Sequence, residues 1–95
     1  MTNQDKEKVK NKFRVTQAGK LFRVEKLCAS SFLWIKTADW IPLDDAGGQY
    51  VGFDGDPIYK AYKMFKNAKT AMNLFITYEI QRWCEQNEGW GPVNV

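Results

Sequence analysis

The sequence predicts an α+β domain: a three- to four-stranded antiparallel sheet with one long C-terminal helix packed on one face. Three observations predict it. Two short stretches near the start alternate apolar and polar residues around a glycine. The middle is rich in aromatic and β-branched residues interrupted by Gly/Asp clusters, and the last third repeats apolar residues at three- and four-residue spacing. The 95 residues leave room for one core only. Four Trp, four Tyr and six Phe within 44% hydrophobic composition exclude a disordered chain.

Residues 1–11 carry Lys6, Lys8 and Lys10 with Val9 as their interior apolar residue, and are expected to form a flexible polar tail before a single domain over 12–95. Phe13-Arg14-Val15-Thr16 and Phe22-Arg23-Val24-Glu25 alternate as half-buried strands do, and Gly19 can take the positive φ of the turn between them. This hairpin puts Phe13, Val15, Phe22 and Val24 on one face. Leu27 to Ser31 reads as a connection, and Phe32 to Lys36 as the start of a third strand. That strand resumes at Trp40-Ile41-Pro42-Leu43 after an irregularity at Ala38-Asp39. Pro42 cannot donate to a ladder, so the strand lies at an edge or ends there. Asp44-Asp45-Ala46-Gly47-Gly48 is a strong turn signal, Tyr50 to Phe53 a short strand, and Asp54 to Pro57 a second turn.

The helix has two candidate starts. Asp56-Pro57 would serve as N-cap and N1 of one long helix. That helix would reach about thirty residues, well above the usual length. The preferred reading keeps 58–65 extended and starts the helix near Ala68, with Asn67 as a fair cap and Gly89 as the stop. The apolar residues from Ala68 to Trp83 then sweep roughly 240°. One sheet covers less than that. A second contact is expected, either the residues around Trp90-Gly91-Pro92-Val93 or another protein chain. The expected core is Phe13, Val15, Phe22, Val24, Leu33, Ile35, Ala71, Met72, Phe75 and Ile76.

No residue is histidine. This excludes Ser-His-Asp and Cys-His catalysis, His-zinc sites and a histidine pH switch. Cys28 and Cys84 lack metal or redox spacing and are read as two buried thiols in preference to a disulfide. No cofactor or metal is expected. The polar start lacks an apolar h-region and no run is long enough to cross a membrane, so a cytoplasmic location is expected.

Arg14, Arg23, Lys36, Lys60 and Lys63 beside aromatic residues would suit a single-stranded nucleic acid. The charge is spread against this. Residues 1–47 hold nine basic and six acidic side chains, and 48–95 hold five of each, so the +3 belongs to the first half. A charge-mixed solvated surface is the preferred reading. Asp39, Asp44, Asp45, Asp54 and Asp56 fall in turns and could gather, but turns use aspartate for their own geometry. An enzyme built on them is the weakest reading. Glu79 falls within the apolar arc, either at its rim paired with Arg82 or facing Lys26 or Tyr50. The rim pair is preferred. Fourteen aromatic rings exceed what so small a core hides. Trp34, Trp40, Tyr78, Trp83 and Trp90 are therefore candidate contacts for a protein partner or a second copy in a homodimer.

The hairpin KFRVTQAGKLFRVEK, the strand WIKTADWIPL, the Gly/Asp turn and the phrase Phe65-Lys66-Asn67-Ala68-Lys69-Thr70-Ala71-Met72-Asn73-Leu74-Phe75 resemble, in arrangement, small orphan proteins of bacteriophages and related marine genomes. The resemblance implies a small helix-on-sheet accessory protein, of a group that includes inhibitors of host defence and of host enzymes. It carries over no catalytic or binding residue.

Overall fold

The computed structural model describes residues 1–93, with the side chains of residues 30–32 set aside. Its elements are α1 (Asn3–Lys10), β1 (Phe13–Ala18), β2 (Leu21–Phe32), β3 (Ile35–Pro42), β4 (Tyr50–Val51), β5 (Pro57–Ile58) and α2 (Phe65–Asn87). The main sheet is antiparallel with order β1-β2-β3, and β4-β5 forms a separate two-stranded ribbon. The α+β class and the long C-terminal helix on the sheet are as the sequence predicts.

Strands β1 and β2 join through Gly19, whose φ is +60°. Their register pairs Phe13 with Lys26, Val15 with Val24 and Gln17 with Phe22. One face of the hairpin thus carries Phe13, Val15, Phe22 and Val24, and α2 lies against it. Val24, Leu43 and Ala68 are almost wholly enclosed, with Phe13, Met72, Phe75 and Ile76 around them. Val15, Phe22 and Ala71 pack on this cluster while partly exposed. Gly47 has φ +82°, and a Cβ there would stand 2.9 Å from Phe75 Cδ1. The turn before the ribbon therefore rests directly on the core ring.

Several expectations are corrected. Residues 1–11 carry helix α1 rather than a flexible tail. Thr2 and Asp5 form a capping box: Thr2 Oγ1 accepts from the Asp5 amide at 3.2 Å, and the Asp5 carboxylate accepts from the Thr2 amide at 3.2 Å. Eight residues make a marginal helix alone. Burial of Val9 against the core, and contact with α2, hold it. This helix is the second cover for the broad apolar arc of α2. Trp90 and Val93 are exposed and do not supply it.

Leu27 to Ser31 is not a connection, and the ladder has no irregularity at Ala38-Asp39. The β2–β3 pairing runs unbroken from Glu25↔Pro42 through Cys28↔Asp39 and Ala29↔Ala38 to Phe32↔Ile35. Small side chains are tolerated there because each strand gains its backbone bonds from the other. The third strand consequently starts at Ile35, and Leu33-Trp34 is the loop. Leu33 and Ile35 are exposed and leave the expected core.

Residues 58–62 stay out of the helix, as preferred, but 63–64 form a bend and α2 starts at Phe65 rather than near Ala68. Phe22 and Tyr62 exchange backbone bonds of 2.8 and 2.7 Å, extending the sheet beyond the end of β3. The Phe65 ring meets Phe22 edge-on at 5.9 Å, which fixes the first turn of α2 three residues before Ala68. Asn67 lies inside that turn, and Asp56-Pro57 belongs to the ribbon rather than to a helix cap. Gly89, at φ +73°, ends the helix by donating its amide to the Cys84 carbonyl at 3.0 Å.

Candidate functional site: an apolar hairpin tip and an open sheet face

β1 pairs only with Leu21–Lys26, so from Cys28 outward β2 and β3 form a two-stranded arm. The radius of gyration is 15.6 Å, against about 13 Å for a compact chain of this length. The arm ends in Leu33 and Trp34, with Ile35 following, and all three are exposed; Trp34 reaches 85%. Leu33 has a φ of +57°, alone among the described non-glycine residues. A two-residue hairpin loop with positive φ at its first position usually takes glycine there. Leucine in that conformation costs roughly 1–2 kcal/mol. The loop thus holds two large apolar side chains in water on a backbone that a glycine would relax.

The second feature lies on the sheet face away from α2. Alternation places Arg14 on β1, Arg23 and Glu25 on β2, and Lys36, Trp40 and Pro42 on β3 on this side. Glu25 is 3% exposed. Its Oε1 accepts from Arg14 Nε at 2.8 Å, and its Oε2 accepts from Arg23 Nε at 2.8 Å and from Arg23 Nη2 at 2.7 Å. Each guanidinium also stacks on a ring: Arg14 lies 4.0 Å from the centre of Trp40, and Arg23 4.8 Å from that of Tyr59. The result is a row, Trp40-Arg14-Glu25-Arg23-Tyr59, lying across the strands. Beside it is a groove of about 400 Å³ lined by Arg14, Thr16, Gln17, Ala18, Leu21, Phe22, Arg23, Glu25, Tyr59 and Ala61.

The residues singled out from the sequence separate into groups. Trp34 stands at the arm tip. Trp40 lies on the open face, half-buried beneath Arg14. Tyr78 and the half-buried Trp83 lie on α2, and exposed Trp90 lies beyond it, so the five contact candidates do not form one patch. Of the basic candidates, Arg14, Arg23 and Lys36 share the open face. Lys60 and Lys63 lie in and just after the segment that follows the ribbon. Glu79 pairs with Lys26 Nζ at 2.9 Å and not with Arg82. Lys26 sits on the α2 side of β2, within reach across the interface. A space of about 40 Å³ beside this pair is too small for an organic ligand.

Asp39 is not in a turn but within β3, opposite Cys28, while Asp44 and Asp54 serve their turns. Asp44 Oδ1 accepts from the amides of Ala46 and Gly48 at 2.9 and 2.7 Å, and Asp54 Oδ1 from Asp56 at 3.1 Å. Among the described residues, no three acidic or cysteine side chains cluster as metal ligands. Cys28 and Cys84 are free thiols, half-buried rather than buried as expected, and Gln49 Nε2 donates to Cys28 Sγ at 2.9 Å. No helix among the described residues is long and apolar enough to cross a membrane. Glu25 is not singled out from the sequence as a shared partner, and Trp34 is a contact candidate there without the turn at Leu33-Trp34 that exposes it. The signal for Glu25 was present in Arg23-Val24-Glu25, which puts opposite charges on one strand face two residues apart. Comparison with protein-family models, curated proteins and solved structures returns no match.

Proposed function

We propose that this chain is a non-enzymatic protein-interaction module whose contact element is the β2–β3 arm. The observation that carries the reading is the Leu33-Trp34 tip: large apolar side chains, exposed, on an unfavourable backbone, at the end of the two-stranded arm. Local strain that gains nothing in the free molecule points to a role in a complex. Exposed aromatic and aliphatic residues in one cluster are what protein contacts use. The partner is a host protein of the kind a phage-type accessory protein would engage, or a second copy of the chain.

The geometry lends less support to single-stranded nucleic acid. The rings of Trp40 and Tyr59 already carry arginines on their faces, and Glu25 offsets one of the two charges. Base stacking needs a free ring face.

The test compares the chain with Trp34→Ser and Leu33→Gly variants by sedimentation velocity and by affinity capture. A self-associated species, or a captured protein, that both tip variants lose while their circular dichroism is unchanged supports the reading. A strictly monomeric chain whose captured proteins are identical for all three forms overturns it.

A further inference from the structure

The open-face row has an imbalance that its structural role leaves unused. Two guanidiniums carry ten N–H donors, five each, whereas one carboxylate offers about four acceptor sites. Glu25 therefore cannot satisfy both arginines. One positive charge is left over at the mouth of the groove. The Arg14 and Arg23 side chains are 45% and 36% exposed, while the Glu25 side chain they share is 4% exposed. The remaining donors face water.

Both arginines are also held in place before anything binds. Each is tied to Glu25 at 2.7–2.8 Å and stacked on an aromatic ring. An arginine fixed in this way has already lost the side-chain freedom that binding would otherwise cost. Leu21 and Ala18, which share the open face, give the groove an apolar wall, and its volume of about 400 Å³ falls in the range of small-ligand sites.

We propose that this groove binds a small organic anion, with a carboxylate or phosphate group held by Arg14 and Arg23 and an apolar body against Leu21 and Ala18. The site is separate from the arm tip, and it does not depend on the protein-interaction reading. Guanidinium pairs recognise carboxylate and phosphate alike through paired N–H donors, so both chemistries are tested.

The experiment follows the Nε–Hε signals of Arg14 and Arg23 by ¹H–¹⁵N NMR while benzoate, phenyl phosphate or neutral benzyl alcohol is added to the intact chain. Saturable shifts at both arginines with either anion, and none with benzyl alcohol, support the site. Which anion binds more tightly assigns it to a carboxylate or to a phosphate ligand. Leu21→Asp places a carboxylate in the groove at an exposed position, where folding is not at risk. This variant should bind at least about tenfold more weakly through like-charge repulsion. Absence of saturable shifts with both anions, equal response to benzyl alcohol, or unchanged binding by Leu21→Asp would each overturn the proposal.

Discussion

Replacing Leu33 by glycine separates the stability of the arm from its proposed use. Leu33 sits at φ +57°, where a side chain costs roughly 1–2 kcal/mol. Glycine removes that cost and adds about 0.5–1 kcal/mol of lost chain entropy on folding. Leu33 is 71% exposed, so truncating it sacrifices little burial. The net is a gain of about 0.5–1 kcal/mol, which for a domain of this size raises Tm by about 2–8 °C. Urea unfolding at constant m-value, together with calorimetry, reads this directly. Leu33→Ala is the control: it removes the same side chain but keeps the strained backbone, and should change stability by less than about 0.5 kcal/mol. A loss of more than about 1 kcal/mol in Leu33→Gly would show that the tip packs on its own domain. The argument for an outward contact would then fail.

Further predictions rest on other parts of the molecule. Gly47→Ala should cost about 2–4 kcal/mol, because the new Cβ meets Phe75 Cδ1 at 2.9 Å on a backbone at φ +82°; chemical denaturation measures it. Val9→Ala should cost about 1–2 kcal/mol if α1 packs as described, and nothing if residues 1–11 are a solvated tail. Glu25→Ala should cost about 1–3 kcal/mol, a range kept modest because both arginines can turn to water. The docking of α1 should also depend on pH. Bonds from the Thr2 hydroxyl and amide hold the Asp5 carboxyl below its usual value, so its contribution is present above the unfolded carboxylate pKa and is lost as pH falls through the lowered one. The bond to Glu88 raises the Met1 amine, so that contribution is present below the ordinary amine value and is lost as pH rises through the raised one. Val9 methyl shifts in NMR should therefore move at both ends of the range. A flat profile would argue against both contacts.

Periodicity carried most of the fold. Phe13, Val15, Phe22 and Val24 alternate in sequence and share a face in space, and the repeat through Ala68, Met72 and Phe75 finds the buried side of α2. What failed has physical causes. Ala29-Ser30-Ser31 has weak strand preference, yet it pairs because β3 lies alongside it. Leu33-Trp34 reads as strand because its composition is that of a strand, and nothing local announces a turn made from a leucine at positive φ. Lysines at 6, 8 and 10 resemble a solvated tail, and only the capping box of Thr2 and Asp5 marks a helix there. The open-face row required the strand register, since Trp40 and Tyr59 lie far from Arg14 and Arg23 in sequence.

The contact between α1 and α2 sets an order on folding. Val9 is synthesised more than fifty residues before the helix that buries it, Phe65–Asn87. Neither helix finds its tertiary partner until both have been made, whereas the β1–β2–β3 hairpins pair between neighbours in sequence. The core face of those hairpins, with Phe13 and Val24, stays open to solvent until the C-terminal segment arrives. Synthesis therefore passes through a stage in which a twelve-residue strand is made while its covering helix is not. Over that interval the sheet is vulnerable to pairing with other nascent chains. The core is covered only when α1 and α2 meet.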